Sequence, residues 1–105
     1  FGGWWDGAPS RLKPSPDAAL AAELADLAGG AGNLIERAVQ LTEIGDFRLA
    51  CHLADLAGWA APDDGGIHAQ RALIYRARRT AESSLMAKGI FAGAARESEA
   101  VAERD

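Results

Sequence analysis

The sequence predicts an all-α fold, and three observations predict it. Apolar residues recur at helical spacing from about residue 17 to the C-terminal third. No segment shows the strict alternation or the β-branched enrichment of a strand. Glycine, proline and aspartate mostly fall between the periodic runs, where they stop one helix and cap the next. The chain has 105 residues, 49% of them hydrophobic and 25% charged. That is one domain, large enough to bury a core without metals or disulfides.

The first sixteen residues differ from the rest. Phe1-Gly2-Gly3-Trp4-Trp5-Asp6-Gly7 combines bulky aromatics with glycines, and Pro9, Pro14 and Pro16 follow. Proline at this density removes backbone donors and holds the chain extended. Residues 1–16 are therefore expected to form an extended interdomain arm, and residues 17–105 the helical domain. Phe1, Trp4 and Trp5 cannot be buried by the arm itself. They are expected to pack against these helices or against a neighbouring domain.

Ser15 is placed to cap the first helix, with Pro16 at its first position. Leu20, Leu24, Leu27 and Ala28 form its apolar stripe, and Gly29-Gly30 ends it. The second helix runs from about Ala31 to Ile44, with Leu34, Ile35, Ala38 and Leu41 on one face. Gly45 supplies the left-handed turn, and Asp46 caps a third helix over Phe47–Ala60. Phe47, Ala50, Cys51, Ala54 and Ala57 share its inner face. Pro62 and Asp63-Asp64-Gly65-Gly66 make a turn, and a fourth helix begins near Ile67 with Ala72, Leu73 and Tyr75. Its Arg71, Arg76, Arg78 and Arg79 are expected largely on a solvated side. A last apolar segment, Ser84–Ala95, runs into a charged tail expected to fray.

A repeat is visible within this order. Counting a unit of about 34 residues from Ala31 places Ala38 and Leu41 on one helix, Gly45 in the turn, Ala50 and Ala57 on the next, and Pro62 at the close. A second unit from Gly65 again puts a small residue, Ala72, and an aromatic, Tyr75, in phase. Small residues at those positions let antiparallel helices approach closely. The expected architecture is a tetratricopeptide-like antiparallel helical bundle.

Composition excludes several functions. A net charge of −4 argues against nucleic acid, which needs a clustered positive surface. No apolar run is long enough to span a bilayer. Cys51 is the only cysteine, so no internal disulfide forms. Adjacent helical residues point about 100° apart, so Cys51 and His52 do not form a nucleophile and base, and Cys51 reads as a buried structural residue. His52 and Asp55 read as a surface polar pair. Two histidines without CxxC or HxxxH spacing make a poor zinc site. Gly29-Gly30-Ala31-Gly32 lacks the preceding strand and following Lys-Ser or Lys-Thr of a phosphate loop, and Asp63-Asp64 lacks a calcium loop's spaced ligands. No catalytic, metal or cofactor-binding residue is expected in this chain.

Leu85, Met86, Ile90 and Phe91 stand apart. They are large and apolar, yet lie among alanines with Gly89 and Gly93. Glycines four apart smooth a helix face at the expense of helix propensity, which makes sense where another backbone comes close. Two readings stand: packing onto this chain's own helices, or an interface with a second chain, where methionine and aromatics are enriched.

Together the residues resemble a family. Gly3-Trp4-Trp5-Asp6-Gly7-Ala8-Pro9 resembles the segment that opens the dimerisation domain of alkyl sulfatases. Leu27-Ala28-Gly29-Gly30-Ala31, Gly45-Asp46-Phe47-Arg48-Leu49-Ala50 and Ala60-Ala61-Pro62-Asp63-Asp64 are similar to its helix junctions. Ala81-Glu82-Ser83 and Gly93-Ala94 are similar to landmarks near its end. The series covers nearly the whole chain in order. The resemblance implies a non-catalytic, homodimerising middle domain of a longer protein that opens before Phe1. It further implies a preceding metallo-β-lactamase-fold domain that supplies zinc and hydrolase chemistry, and often a sterol-carrier-like domain after it. Leu85-Met86-Ala87-Lys88-Gly89 departs from the family, whose members carry aromatic and polar residues there, so the parent's substrate stays open. The compartment is also open, with the cytoplasm favoured. The candidate dimer interface is Leu85, Met86, Ile90 and Phe91. The alternative function is a tetratricopeptide-like adaptor that holds a peptide or partner protein in a helical groove.

Overall fold

The computed structural model describes residues 7–104. Five helices follow one another: α1 (Asp17–Leu27), α2 (Ala31–Glu43), α3 (Phe47–Ala60), α4 (Gly65–Ala81) and α5 (Leu85–Arg104). There is no strand among the described residues. Helix α3 lies against α1, α2 and α4, whereas α5 packs chiefly along α4 among the described residues. Before α1, Pro9–Arg11 form one 3-10 turn, so the proline-rich stretch is not extended throughout. Phe1, Trp4 and Trp5 lie outside the described residues.

The punctuation acts much as the sequence indicates. Gly29 and Gly30 have φ of +90° and +132°, and the Gly30 amide donates to Ala25 O at 2.7 Å, which closes α1. Asn33 Nδ2 ties the junction to Ala28 O at 2.8 Å. Gly45, at φ +83°, turns α2 into α3. Asp46 and Asp64 accept from the amides of Leu49 and Ile67 and so satisfy orphan donors at the starts of α3 and α4. At α1 the expected cap is off by one residue. Pro16 is the N-cap, no side chain caps the helix, and Asp17 is the first helical residue.

The core is built on small residues. Ala38, Ala50, Ala54, Ala57 and Ala95 are fully buried, with Leu34, Ile35, Leu41, Ile67, Ile74 and Tyr75 filling the space around them. Alanine contacts bring helices close together and leave little void. This corrects the reading of α1. Its buried residues are Ala21 and Ala25, while Leu20, Leu24 and Leu27 are exposed, because the close approach to α3 admits only methyl groups.

Two further expectations are corrected beyond α1. Helix α5 continues to Arg104 instead of fraying after Ala95. Ala92, Ala95 and Ser98 are buried against α4, and Arg76 clasps Glu99 at 2.7 Å, which holds the charged segment in place. Ser84 starts α5 by accepting from the Ala87 amide. Nor is the arginine face of α4 simply solvated, since Arg71 is only 8% exposed.

Candidate functional site

Arg71 is inward because of its register. It lies four residues after Ile67 and four before Tyr75, both buried, on the face that α4 turns to its neighbours. A guanidinium there needs partners for its donors. Its Nε and Nη2 donate to Asp55 Oδ1 at 3.2 and 3.0 Å. Its Nη1 donates to Ser98 Oγ at 2.7 Å and to Ala94 O at 3.2 Å. Tyr75 donates to the same Asp55 oxygen at 2.7 Å. Burial first, and then the bond to Asp55, push the Tyr75 phenol well above its ordinary range. Asp55 is thus held by Arg71 and Tyr75 rather than paired with His52, which is exposed.

His68 extends this network. Its Nδ1 lies 2.9 Å from Ser98 Oγ. Arginine only donates, so Ser98 Oγ accepts from Arg71 while it also bonds His68 Nδ1. The other ring nitrogen, Nε2, is buried and has no hydrogen-bond partner among the described residues. Gly58 makes room for this arrangement: a Cβ there would stand 3.3 Å from both His68 Cε1 and Arg71 Cδ. A groove of about 330 Å³ opens beside it, lined by residues of α1, α3, α4 and α5, including Trp59 and Val101, and by Pro62 of the turn between α3 and α4. Sequence reasoning missed Asp55, Arg71 and Ser98 as a unit. The available signal was the placement of Arg71 in phase with Ile67 and Tyr75.

Cys51 is buried, as its position beside Ala50 and Ala54 indicates, and burial raises its thiol pKa above the ordinary value. No three His, Cys, Asp or Glu side chains among the described residues stand together in a way that could hold a metal ion. No helix among them is long and apolar enough to cross a membrane.

The second feature is the outer face of α5. Leu85, Met86 and Ile90 are 86%, 78% and 64% exposed. Phe91, two turns into the helix, points the other way. It packs 6.0 Å from the Tyr75 ring, and the Arg78 guanidinium lies 4.4 Å above it, so it is half-buried and joins the core. The four interface candidates therefore divide into three that face outward and one that anchors α5. A contiguous set of large apolar side chains in water marks an interaction surface more often than scattered single ones do.

A sequence model described as alkyl sulfatase dimerisation matches residues 1–100. The chain belongs to the alkyl sulfatase dimerisation family. Membership gives the chain a dimerisation role in alkyl-sulfatase-like proteins. No curated protein and no solved structure shows a match to this chain.

Proposed function

We propose that this chain joins two copies of an alkyl-sulfatase-like hydrolase into a homodimer through the outer face of α5. In this reading catalysis lies in a preceding zinc-binding metallo-β-lactamase-fold domain, and the helical domain sets how two such domains are held. The α2–α3 hairpin, with its alanine contacts, serves as a tetratricopeptide-like platform that presents α4 and α5. The observation that carries the proposal is the exposure of Leu85, Met86 and Ile90 in a member of a dimerisation family.

Full burial of such a side chain is worth about 1.5–3 kcal/mol, and two substitutions remove four of them from a symmetric pair, so pairing weakens by roughly four orders of magnitude or more. Light scattering on a sizing column, over a wide concentration range, tests the proposal. The unsubstituted chain is expected to elute as a dimer, and Met86→Ala with Ile90→Ala as a monomer of unchanged helicity. A monomer at every concentration, or a double variant that still pairs, refutes it. The first of those outcomes would favour the adaptor alternative, with the groove beside Trp59 as its binding surface.

A further inference from the structure

The α5 face has a size pattern that selects one way of pairing, given that the chain pairs through it. Successive helical residues turn by about 100°, so Met86, Gly93 and Ala100, seven apart, lie nearly in one line. Gly89 and Ile90 flank that line near one end, and Arg96 and Glu97 near the other. All of these are exposed except Gly93, which is half-buried. A Cβ at Gly89 would meet nothing within 4 Å, and one at Gly93 only the far end of Arg96 at 3.8 Å. No contact among the described residues therefore explains either glycine, although glycine weakens a helix. Glu97 is drawn aside toward Arg71, with its Oε1 3.7 Å from Nη1, which takes a carboxylate off the line.

From this pattern we infer that two copies pair α5 against α5 in antiparallel fashion, with the two-fold axis passing through Gly93. The face is large at one end, bare at the centre and small at the other end, and such a face is complementary to itself when turned end for end. Met86 then rests on the partner's Ala100, and its own Ala100 receives the partner's Met86. Residues on the same flank meet in such a pair, so the aliphatic stem of Arg96 lies over the bare Gly89 position of the second copy, and Ile90 faces the flank that Glu97 leaves by leaning toward Arg71. The glycines let the two backbones come close at the crossing, where any larger side chain would separate them.

Single and paired cysteines test this geometry in the 105-residue chain. Cys51 is buried and stays out of the exchange. Met86 and Ala100 lie about 21 Å apart along the helix at about 1.5 Å per residue. Disulfides need Cα atoms within about 7 Å. Gly93→Cys alone is expected to oxidise to a covalent dimer, because that residue meets its own symmetry mate. Met86→Cys alone and Ala100→Cys alone are expected to stay uncross-linked, whereas the two together link. Gly93→Leu is expected to weaken pairing at least tenfold without loss of helicity. If light scattering shows a dimer but Met86→Cys links alone, the helices run parallel and the inference is overturned. A dimer in which the Met86→Cys/Ala100→Cys pair fails to link, or in which Leu20→Cys links instead, also overturns it while the dimer reading survives. An unsubstituted chain that is monomeric throughout removes that reading and the inference together.

Discussion

Replacing Arg71 with methionine isolates the energetic role of the buried network. Methionine keeps most of the volume, so the substitution removes the charge and donors with little cavity formation. The Arg71 side chain is 10% exposed and that of Asp55 24%. Without Arg71, Asp55 keeps only the Tyr75 hydroxyl, and Ser98 Oγ loses the shortest of its bonds. Breaking a buried ion pair by removing one partner costs about 3–5 kcal/mol, and the residual exposure of Asp55 places this case near the lower end. A loss of about 3 kcal/mol is a large part of the roughly 5–15 kcal/mol that stabilises an ordinary domain. It corresponds to a fall of about 12–24 °C in Tm for a chain of this size. Urea titration followed by circular dichroism measures it. The Asp55→Ala, Arg71→Met double variant should lose at least about 1 kcal/mol less than the sum of the single losses, since it leaves no unpaired charge. An Arg71→Met loss below about 1 kcal/mol, or strictly additive singles, would refute the reasoning.

Other perturbations have equally definite outcomes. The Glu99 carboxyl is held below the usual carboxylate range by its bonds from Arg76. Its depressed folded pKa means that its stabilisation is present above the unfolded value, about 4.3, and is lost as pH falls through the lowered folded value. Melts over about pH 3–6 should show that Glu99→Gln has a shallower acid decline than the unsubstituted chain. An equal decline would assign it to other groups. Asp46→Ala removes the α3 cap and should cost about 1 kcal/mol, while Asp46→Asn keeps most of the stability; thermal melts compare the two. Cys51, buried with a raised thiol pKa, should react with a disulfide reagent at pH 8 orders of magnitude more slowly when folded than in denaturant. Comparable rates would show that α3 opens readily.

Much of the architecture could be read from residue spacing alone. Helix α2 is the clearest case: Leu34, Ile35, Ala38 and Leu41 are the four residues it buries, because one narrow apolar stripe leaves a single way to turn it. Helix α1 misleads for the opposite reason. It carries two adjacent apolar stripes, and hydrophobicity favours the leucines, while the short distance to α3 requires alanines. The polar network was hidden by composition. Arg71 sits in a run of arginines, and only its phase with Ile67 and Tyr75 separates it from the exposed Arg79. Its partners come from α3 and α5, sixteen to twenty-seven residues away, a distance that periodicity within one helix does not reach. At α5 the sequence singles out the segment with the exposed Leu85, Met86 and Ile90, but not that Phe91 turns inward while its apolar neighbours turn out.

Under the proposed pairing, the seating of α5 along α4 ties subunit concentration to local folding. Its inner surface, with Ala92, Ala95, Ser98 and the Phe91 ring, rests mainly on one neighbour, whereas α3 is held by three. An element with few anchors opens at a lower free energy than the rest of the domain. When its outer face is covered by a second copy, mass action on pairing also opposes that opening. Amide exchange along residues 85–104 should therefore slow as protein concentration rises, while exchange in α2 and α3 stays unchanged. If α5 recruits the second subunit as proposed, it would in turn depend on that subunit for much of its own persistence.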